Sequence, residues 1–134
     1  MKTILLVDDD QPLRSVLGLA LRRDGYRVIE ADSGVAGLEM ARRHLPDLIL
    51  SDIDMPGGDG ASLLREIRRD SDLKSVQVVL MTGTAELLLP SQGIEDEAAA
   101  SLVKPISLQE LLSCVKAQLN RDPLRQPAED QLVA

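Results

Sequence analysis

Five short apolar runs, each stopping at polar or charged residues, alternate along this chain with segments whose apolar residues recur at helical spacing. The runs are residues 3–7, 26–30, 47–51, 76–81 and 101–103. Runs of this length, rich in aliphatic and β-branched residues, read as buried strands. Strands that alternate with helices imply an α/β fold: a parallel sheet with helices on both faces, because parallel neighbours need a crossover between them. Sheets of this kind carry function at the carboxyl ends of their strands, near the point where strand order reverses.

The helical segments carry recognisable ends. Gln11-Pro12 opens the first, where a missing N–H does no harm. Its expected apolar face is Leu13, Val16, Leu17, Ala20 and Leu21, and Asp24-Gly25 closes it. Ser33 caps the second, with Val35, Leu38 and Ala41 expected to face inward, and His44-Leu45-Pro46 ends it. Asp59-Gly60 starts the third, which gathers Leu63, Leu64 and Ile67 on one face, and residues 70–75 are polar and loop-like. Residues 85–100 read as a fourth helix, interrupted by Pro90 and Gly93. Ser107 caps the last, whose stripe is Leu108, Leu111, Leu112, Val115 and Leu119. The expectation is one folded domain over residues 1–120. Residues 121–134, with Pro123 and Pro127 and no clear period, read as a flexible tail or linker; the chain is expected to be either stand-alone or, if this is a linker, the front piece of something longer.

Composition narrows the function. The chain has 134 residues, 44% of them hydrophobic, with Tyr26 the single aromatic residue, so the core is aliphatic and base stacking on aromatic platforms is not expected. A net charge of −7 argues against nucleic-acid binding dominated by phosphate contacts and favours cations and basic partner surfaces. One cysteine, Cys114, allows no intrachain disulfide. The apolar run after Met1-Lys2 is too short for a signal peptide, and no run reaches the length of a membrane span, so the expected location is cytoplasmic.

The residues just after the strands converge on one rim. The first strand offers Asp8 and Asp9, the third Asp52 and Asp54, the fourth Thr82 and the fifth Lys104, while the second offers nothing comparable. Carboxylates crowded together do not stay ionised without a cation. Hard oxygen donors of this type suit Mg²⁺, which binds few protein carboxylates and keeps several waters. A carboxylate oxygen of Asp52 can then attack phosphorus, with Lys104 and the Thr82 hydroxyl holding the remaining phosphoryl oxygens.

This set resembles the receiver domain of two-component response regulators. The resemblance runs from Lys2 to about Asn120 and rests on four ordered motifs: Leu6-Val7-Asp8-Asp9-Asp10, residues 48–60, Met81-Thr82 and Val103-Lys104-Pro105. It implies a flavodoxin-like, doubly wound sheet in the order 2-1-3-4-5. It implies that Asp52 is the phosphoacceptor for a histidine kinase's phosphohistidine. Asp9 and Asp52 would ligate Mg²⁺ directly, Asp8 through water, and Asp54 through its backbone carbonyl. Thr82 would be the switch hydroxyl and Lys104 the phosphate's partner, with Gly83 and Pro105 in support and a cis Lys104-Pro105 bond. The implied partners are a sensor histidine kinase or phosphotransfer protein, a fused output domain or downstream protein, and a second copy of the chain. Switching and dimer contact would both use the face of the fourth helix, fifth strand and last helix.

Three positions depart from the family pattern, all on the output side. Ser101 stands where an aromatic residue is frequent, Glu97-Ala98 where Gly-Ala is frequent, and Pro90 inside the fourth helix. Two other functions stay open at this stage: a receiver-like binding module that works without phosphorylation, and a Mg²⁺-dependent phosphatase with Asp54 as general acid. Elsewhere the simplest expectations are structural. His44 sits at a helix end, and Cys114 packs near the last stripe. Leu87-Leu88-Leu89 is either core or a partner patch. Arg14, Arg22, Arg23, Arg42, Arg43, Arg65, Arg68 and Arg69 form solvated helix faces.

Overall fold

A computed structural model describes residues 1–55, 60–83 and 100–120. Its elements are β1 (Thr3–Val7), α1 (Gln11–Arg23), β2 (Arg27–Ala31), α2 (Gly34–His44), β3 (Leu48–Asp52), α3 (Gly60–Arg69), β4 (Gln77–Thr82), β5 (Ala100–Val103) and α4 (Leu108–Leu119). The five strands form one parallel sheet in the order β2-β1-β3-β4-β5, the doubly wound arrangement expected.

The continuous hydrophobicity of the strands has a direct cause. Successive strand side chains point to opposite faces, so a strand covered on both sides needs apolar residues at every position. Leu5 and Val7 of β1 join Ile49, Leu80, Ala41, Leu63, Leu64 and Ile67 in one core, under α2 and α3. Ile4 and Leu6 join Leu48, Leu50, Val79, Met81, Leu17, Leu21, Leu111 and Val115 in the other, under α1 and α4. Each buried Leu or Ile contributes about 1.5–3 kcal/mol of transfer free energy.

The caps at Ser33 and Ser107 fall where expected, and Asp10 caps the first helix. Asp10 Oδ1 accepts the Leu13 N–H at 3.2 Å, Ser33 Oγ that of Ala36 at 3.1 Å, and Ser107 Oγ that of Glu110 at 3.0 Å. Leu45 ends α2 at φ +47°. The Lys104-Pro105 bond is cis.

The helix faces differ from the sequence reading at three residues. Val16 is 53% exposed, Val35 70% and Leu108 43%. In α1 the core-facing residues are Leu17 and Leu21, which turns Val16 toward water. In α2 the buried residues are Gly34, Gly37 and Ala41, because the helix lies close on the sheet: a Cβ on Gly37 would be 3.0 Å from Val7 Cγ2. In α4 the sheet meets Leu111 and Val115, leaving Leu108 in the exposed first turn. Strand pairing also continues further than expected. Asp52 pairs with Met81 and Thr82 with Val103, so both site residues are the last of their strands rather than the first of a loop. Ala100 belongs to β5, not to a preceding helix. The expected roles of Asp59, Leu87, Leu88, Leu89, Pro90, Gly93, Glu97 and Ala98, the predicted fourth helix and the tail over 121–134 lie outside the described residues.

Candidate functional site

β1, β3, β4 and β5 are consecutive neighbours in the sheet, so their carboxyl ends form one continuous rim. Asp8 follows β1, Asp52 ends β3, Thr82 ends β4 and Lys104 follows β5. The sheet's strand order thus gathers residues 96 positions apart in sequence: Lys104 Nζ is 3.3 Å from Asp8 Oδ2. The same nitrogen is 3.3 Å from Asp52 Oδ2.

The three successive acids after β1 divide their work. Asp10 is spent on the α1 cap. Asp8 is fully buried, and its Oδ1 accepts the Asp10 N–H at 2.9 Å in a tight Asx turn. Asp9 is exposed at the rim. Asp8, Asp9 and Asp52 each place a carboxylate oxygen within 4.8 Å of the others.

Asp52 is 5% exposed, and its Oδ1 accepts the Asp54 N–H at 3.4 Å. Ile53 and Met55 are buried in the α2–α3 core, and Asp54 between them is exposed. This alternation separates two acids that look alike in sequence. Gly60 closes the loop behind the site by donating its N–H to Ile53 O at 2.8 Å. A Cβ there would meet the Asp52 carbonyl oxygen and lie 2.8 Å from Ile53 Cα, so no larger residue fits without moving that backbone.

Thr82 is buried, and its carbonyl accepts the Lys104 N–H at 2.7 Å, which ties the two backbones together. Gly83 is exposed, with nothing within 4 Å of an added Cβ. Pro105 follows Lys104 across the cis bond and is exposed.

Electrostatics follow from this packing. Burial pushes the Asp52 carboxyl above the ordinary carboxylate range; Lys104 pulls it back and Asp8 adds to the rise. Burial alone would lower the Lys104 ammonium, but the facing Asp52 and Asp8 carboxylates outweigh it and hold the group protonated more firmly than usual. One ammonium therefore faces two members, Asp8 and Asp52, of a three-carboxylate cluster. The donor set is hard oxygen, partly open to water on the Asp9 side, and undercompensated in charge, which fits a small divalent cation that keeps several waters.

Sequence reasoning missed Arg14 and Glu30. Arg14 is no solvated helix residue: its side chain is 15% exposed and donates to the Asp8 carbonyl and to Glu30. β2, which offers no residue to the rim, supplies Glu30 behind it. The available signal was an arginine in the first turns of the helix that follows the acids, with an acid near the end of the next strand. Arg68 likewise turns inward, donating to Lys74 O at 3.1 Å and Val76 O at 2.8 Å.

Comparison with known proteins places these features in context. A family model described as response regulator receiver domain matches residues 4–116. The transcriptional regulatory protein AfsQ1 of Streptomyces coelicolor is 37% identical over 121 residues, which cover 90% of this chain and 52% of that protein. The chain spans about half the length of the curated relatives it matches. The response regulator TrrA of Thermotoga maritima, solved in complex with Mg²⁺-BeF, is 31% identical with a TM-score of 0.80, covering 88% of this chain and 99% of that one. The receiver domain of a sensor histidine kinase from Pseudomonas aeruginosa PAO1, solved with a magnesium ion coordinated in its active-site cleft, is 30% identical with a TM-score of 0.79, covering 90% and 98%. Among the described residues, no helix is long and apolar enough to cross a membrane.

Proposed function

The chain belongs to the response regulator receiver domain family, and on that premise we propose that Asp52 is its phosphoacceptor, taking a phosphoryl group from the phosphohistidine of a sensor histidine kinase or phosphotransfer protein. The observation that carries this reading is the position of Lys104 Nζ, 3.3 Å from both Asp8 and Asp52, beside a three-carboxylate cluster. A module that only binds a partner has no use for acids held so close together.

In the reaction an Asp52 carboxylate oxygen attacks phosphorus in line with the departing imidazole nitrogen. The P–N bond breaks, an aspartyl phosphate forms, and the electron pair leaves with the histidine. Lys104 and the Thr82 hydroxyl hold phosphoryl oxygens as charge builds on them. The Asp9 and Asp52 side chains, Asp8 through water and the Asp54 backbone carbonyl would hold Mg²⁺, which would supply positive charge to offset the donor's phosphoryl oxygens. The new phosphate adds nearly two negative charges beside Lys104 and draws Thr82 and Lys104 inward. That biases an equilibrium between two states of the surface around β5 and α4, with the segment before β5 taking part. Gly83 and Pro105 support the Thr82 and Lys104 backbones.

On this reading the protein works in the cytoplasm and catalyses no reaction beyond its own phosphorylation and dephosphorylation. Residues 1–120 are the receiver and 121–134 a linker or tail. The output belongs to a fused domain or a separate protein, as the names of the transcriptional relatives suggest, and a second copy docks through the β5–α4 face. The test is intact mass after incubation with Mg²⁺ and a small phosphodonor such as acetyl phosphate. One added phosphoryl group is expected, absent in Asp52→Asn. No addition, or addition that survives the substitution, would sink the proposal.

A further inference from the structure

Asp8 is gripped through all three of its polar groups. Its N–H donates to Ala31 O at 3.1 Å, its Oδ1 accepts the Asp10 N–H at 2.9 Å, and its main-chain carbonyl accepts Arg14 Nη1 at 2.6 Å. The last contact aligns the Asp8–Asp9 peptide plane and, with it, the direction in which Asp9 leaves the strand. Arg14 is itself clamped, since its Nε donates to Glu30 Oε1 at 3.0 Å. The other oxygen of Glu30 accepts Arg22 Nη2 at 3.1 Å. Gly18 leaves room for the Arg22–Glu30 pair against α1: a Cβ there would lie 3.3 Å from Arg22 Nη1 and 3.5 Å from Glu30 Oε2.

From this geometry we infer that Arg14, oriented by Glu30, is a positioning residue for the Asp8–Asp9 acid pair and sets the site's affinity for Mg²⁺ without ligating it. The inference rests on the Mg²⁺-dependent reading above. A guanidinium is suited to the task because its planar fork serves the carbonyl and the carboxylate together, and a charged donor makes the stronger bond to the carbonyl. A lysine at the same place has one nitrogen and reaches one acceptor well. Arg22 is the internal control, because it touches Glu30 and Val28 O but not Asp8.

The experiment compares the wild-type chain with Arg14→Gln, Arg14→Lys and Arg22→Gln by two readouts. The first is hydrogen exchange of the Asp10 amide in metal-free protein. The second is calorimetric Mg²⁺ titration, paired with phosphorylation rates at limiting and saturating Mg²⁺. Arg14→Gln should speed Asp10 exchange and weaken Mg²⁺ binding about tenfold, a loss typical when a group orienting a ligand is removed. Its phosphorylation should be slow at limiting Mg²⁺ and recover at saturation. Arg14→Lys should fall between it and wild type, and it carries the comparison if Arg14→Gln does not fold. Arg22→Gln, which loosens Glu30 without touching Asp8, should lose clearly less than Arg14→Gln. Unchanged Mg²⁺ affinity in the Arg14 variants, or an equal loss in Arg22→Gln, would overturn the inference while leaving the phosphoacceptor reading intact. A wild-type chain that binds no Mg²⁺ would overturn that reading and the affinity role with it. Asp10 exchange would then still show whether Arg14 braces the loop.

Discussion

The Lys104 ammonium stands 3.3 Å from the Asp52 carboxylate, joining the end of β5 to the end of β3 across the intervening β4. The contact exists because the sheet places β4 between them and because Thr82 O anchors the Lys104 N–H at 2.7 Å. It also holds the charge balance of the rim, since the same ammonium faces the fully buried Asp8.

Removing that ammonium leaves Asp8 and Asp52 facing each other without a counter-charge. Lys104→Met should lower the stability of the metal-free protein by about 1–3 kcal/mol, a loss moderated by the lysine's partial exposure. Mg²⁺ should restore much of it, because a bound cation replaces the missing charge. Urea unfolding with and without Mg²⁺ measures both effects. A variant as stable as wild type without metal would show that the ion pair carries no net stabilisation.

The backbone behind Asp52 tolerates no side chain at Gly60. Gly60→Ala must push the new methyl against the Asp52 carbonyl and Ile53, at an overpacking cost of about 1–3 kcal/mol. Because the displaced backbone carries Asp52, the proposed phosphoacceptor, phosphorylation by a small phosphodonor should slow more than the loss of folded protein explains. Denaturant midpoint and initial rate, measured on the same sample, separate the two effects.

A pH dependence arises far from the site, at Asp70. Its carboxyl lies below the ordinary carboxylate range because it accepts the Asp72 N–H at 2.9 Å and the Arg42 side chain at 3.1 Å. A depressed native value means that the unfolded state binds the proton more readily. The stabilisation is therefore full above the unfolded carboxyl's titration and is lost as pH falls through the native value. Wild type should unfold at higher urea than Asp70→Asn near neutrality, and the gap should close in acid. A gap that does not change with pH would refute this.

The phase of α1 on the sheet can be read by truncating two neighbours. Leu17 is 1% exposed and Val16 53%. Leu17→Ala should cost about 2–5 kcal/mol, whereas Val16→Ala should stay within about 0.5 kcal/mol. Comparable losses at both positions would mean that Val16 is covered in solution.

Much of the site was legible because its signals are local. Asp8, Asp9, Asp52, Thr82 and Lys104 each stand where an apolar run stops, and such runs are recognisable residue by residue. The caps at Ser33 and Ser107 were legible for the same reason. The helix faces were read less well. Val16, Val35 and Leu108 fit an apolar period but face water, because a helix packs by its closest approach to the sheet. In α2 that approach is made by Gly34, Gly37 and Ala41, two of them glycines that carry no hydrophobic signal. Arg14 reads as surface in the sequence because its partners, the Asp8 carbonyl and Glu30, are a backbone atom and a residue on another element.

By itself, then, the sequence determined the alternation of strands and helices, the caps, and the acids and lysine at the strand ends, since hydrogen-bond periodicity and capping act over a few residues. The tertiary structure decided what those residues do to one another. Strand order set Lys104 between Asp8 and Asp52, and burial of Ile53 and Met55 set Asp54 apart from Asp52. The packing of α1 against β2 turned an arginine and a glutamate into a brace for the Asp8 loop. These are distance-dependent interactions between groups far apart in the chain, and they exist only once the sheet has brought them within a few ångströms.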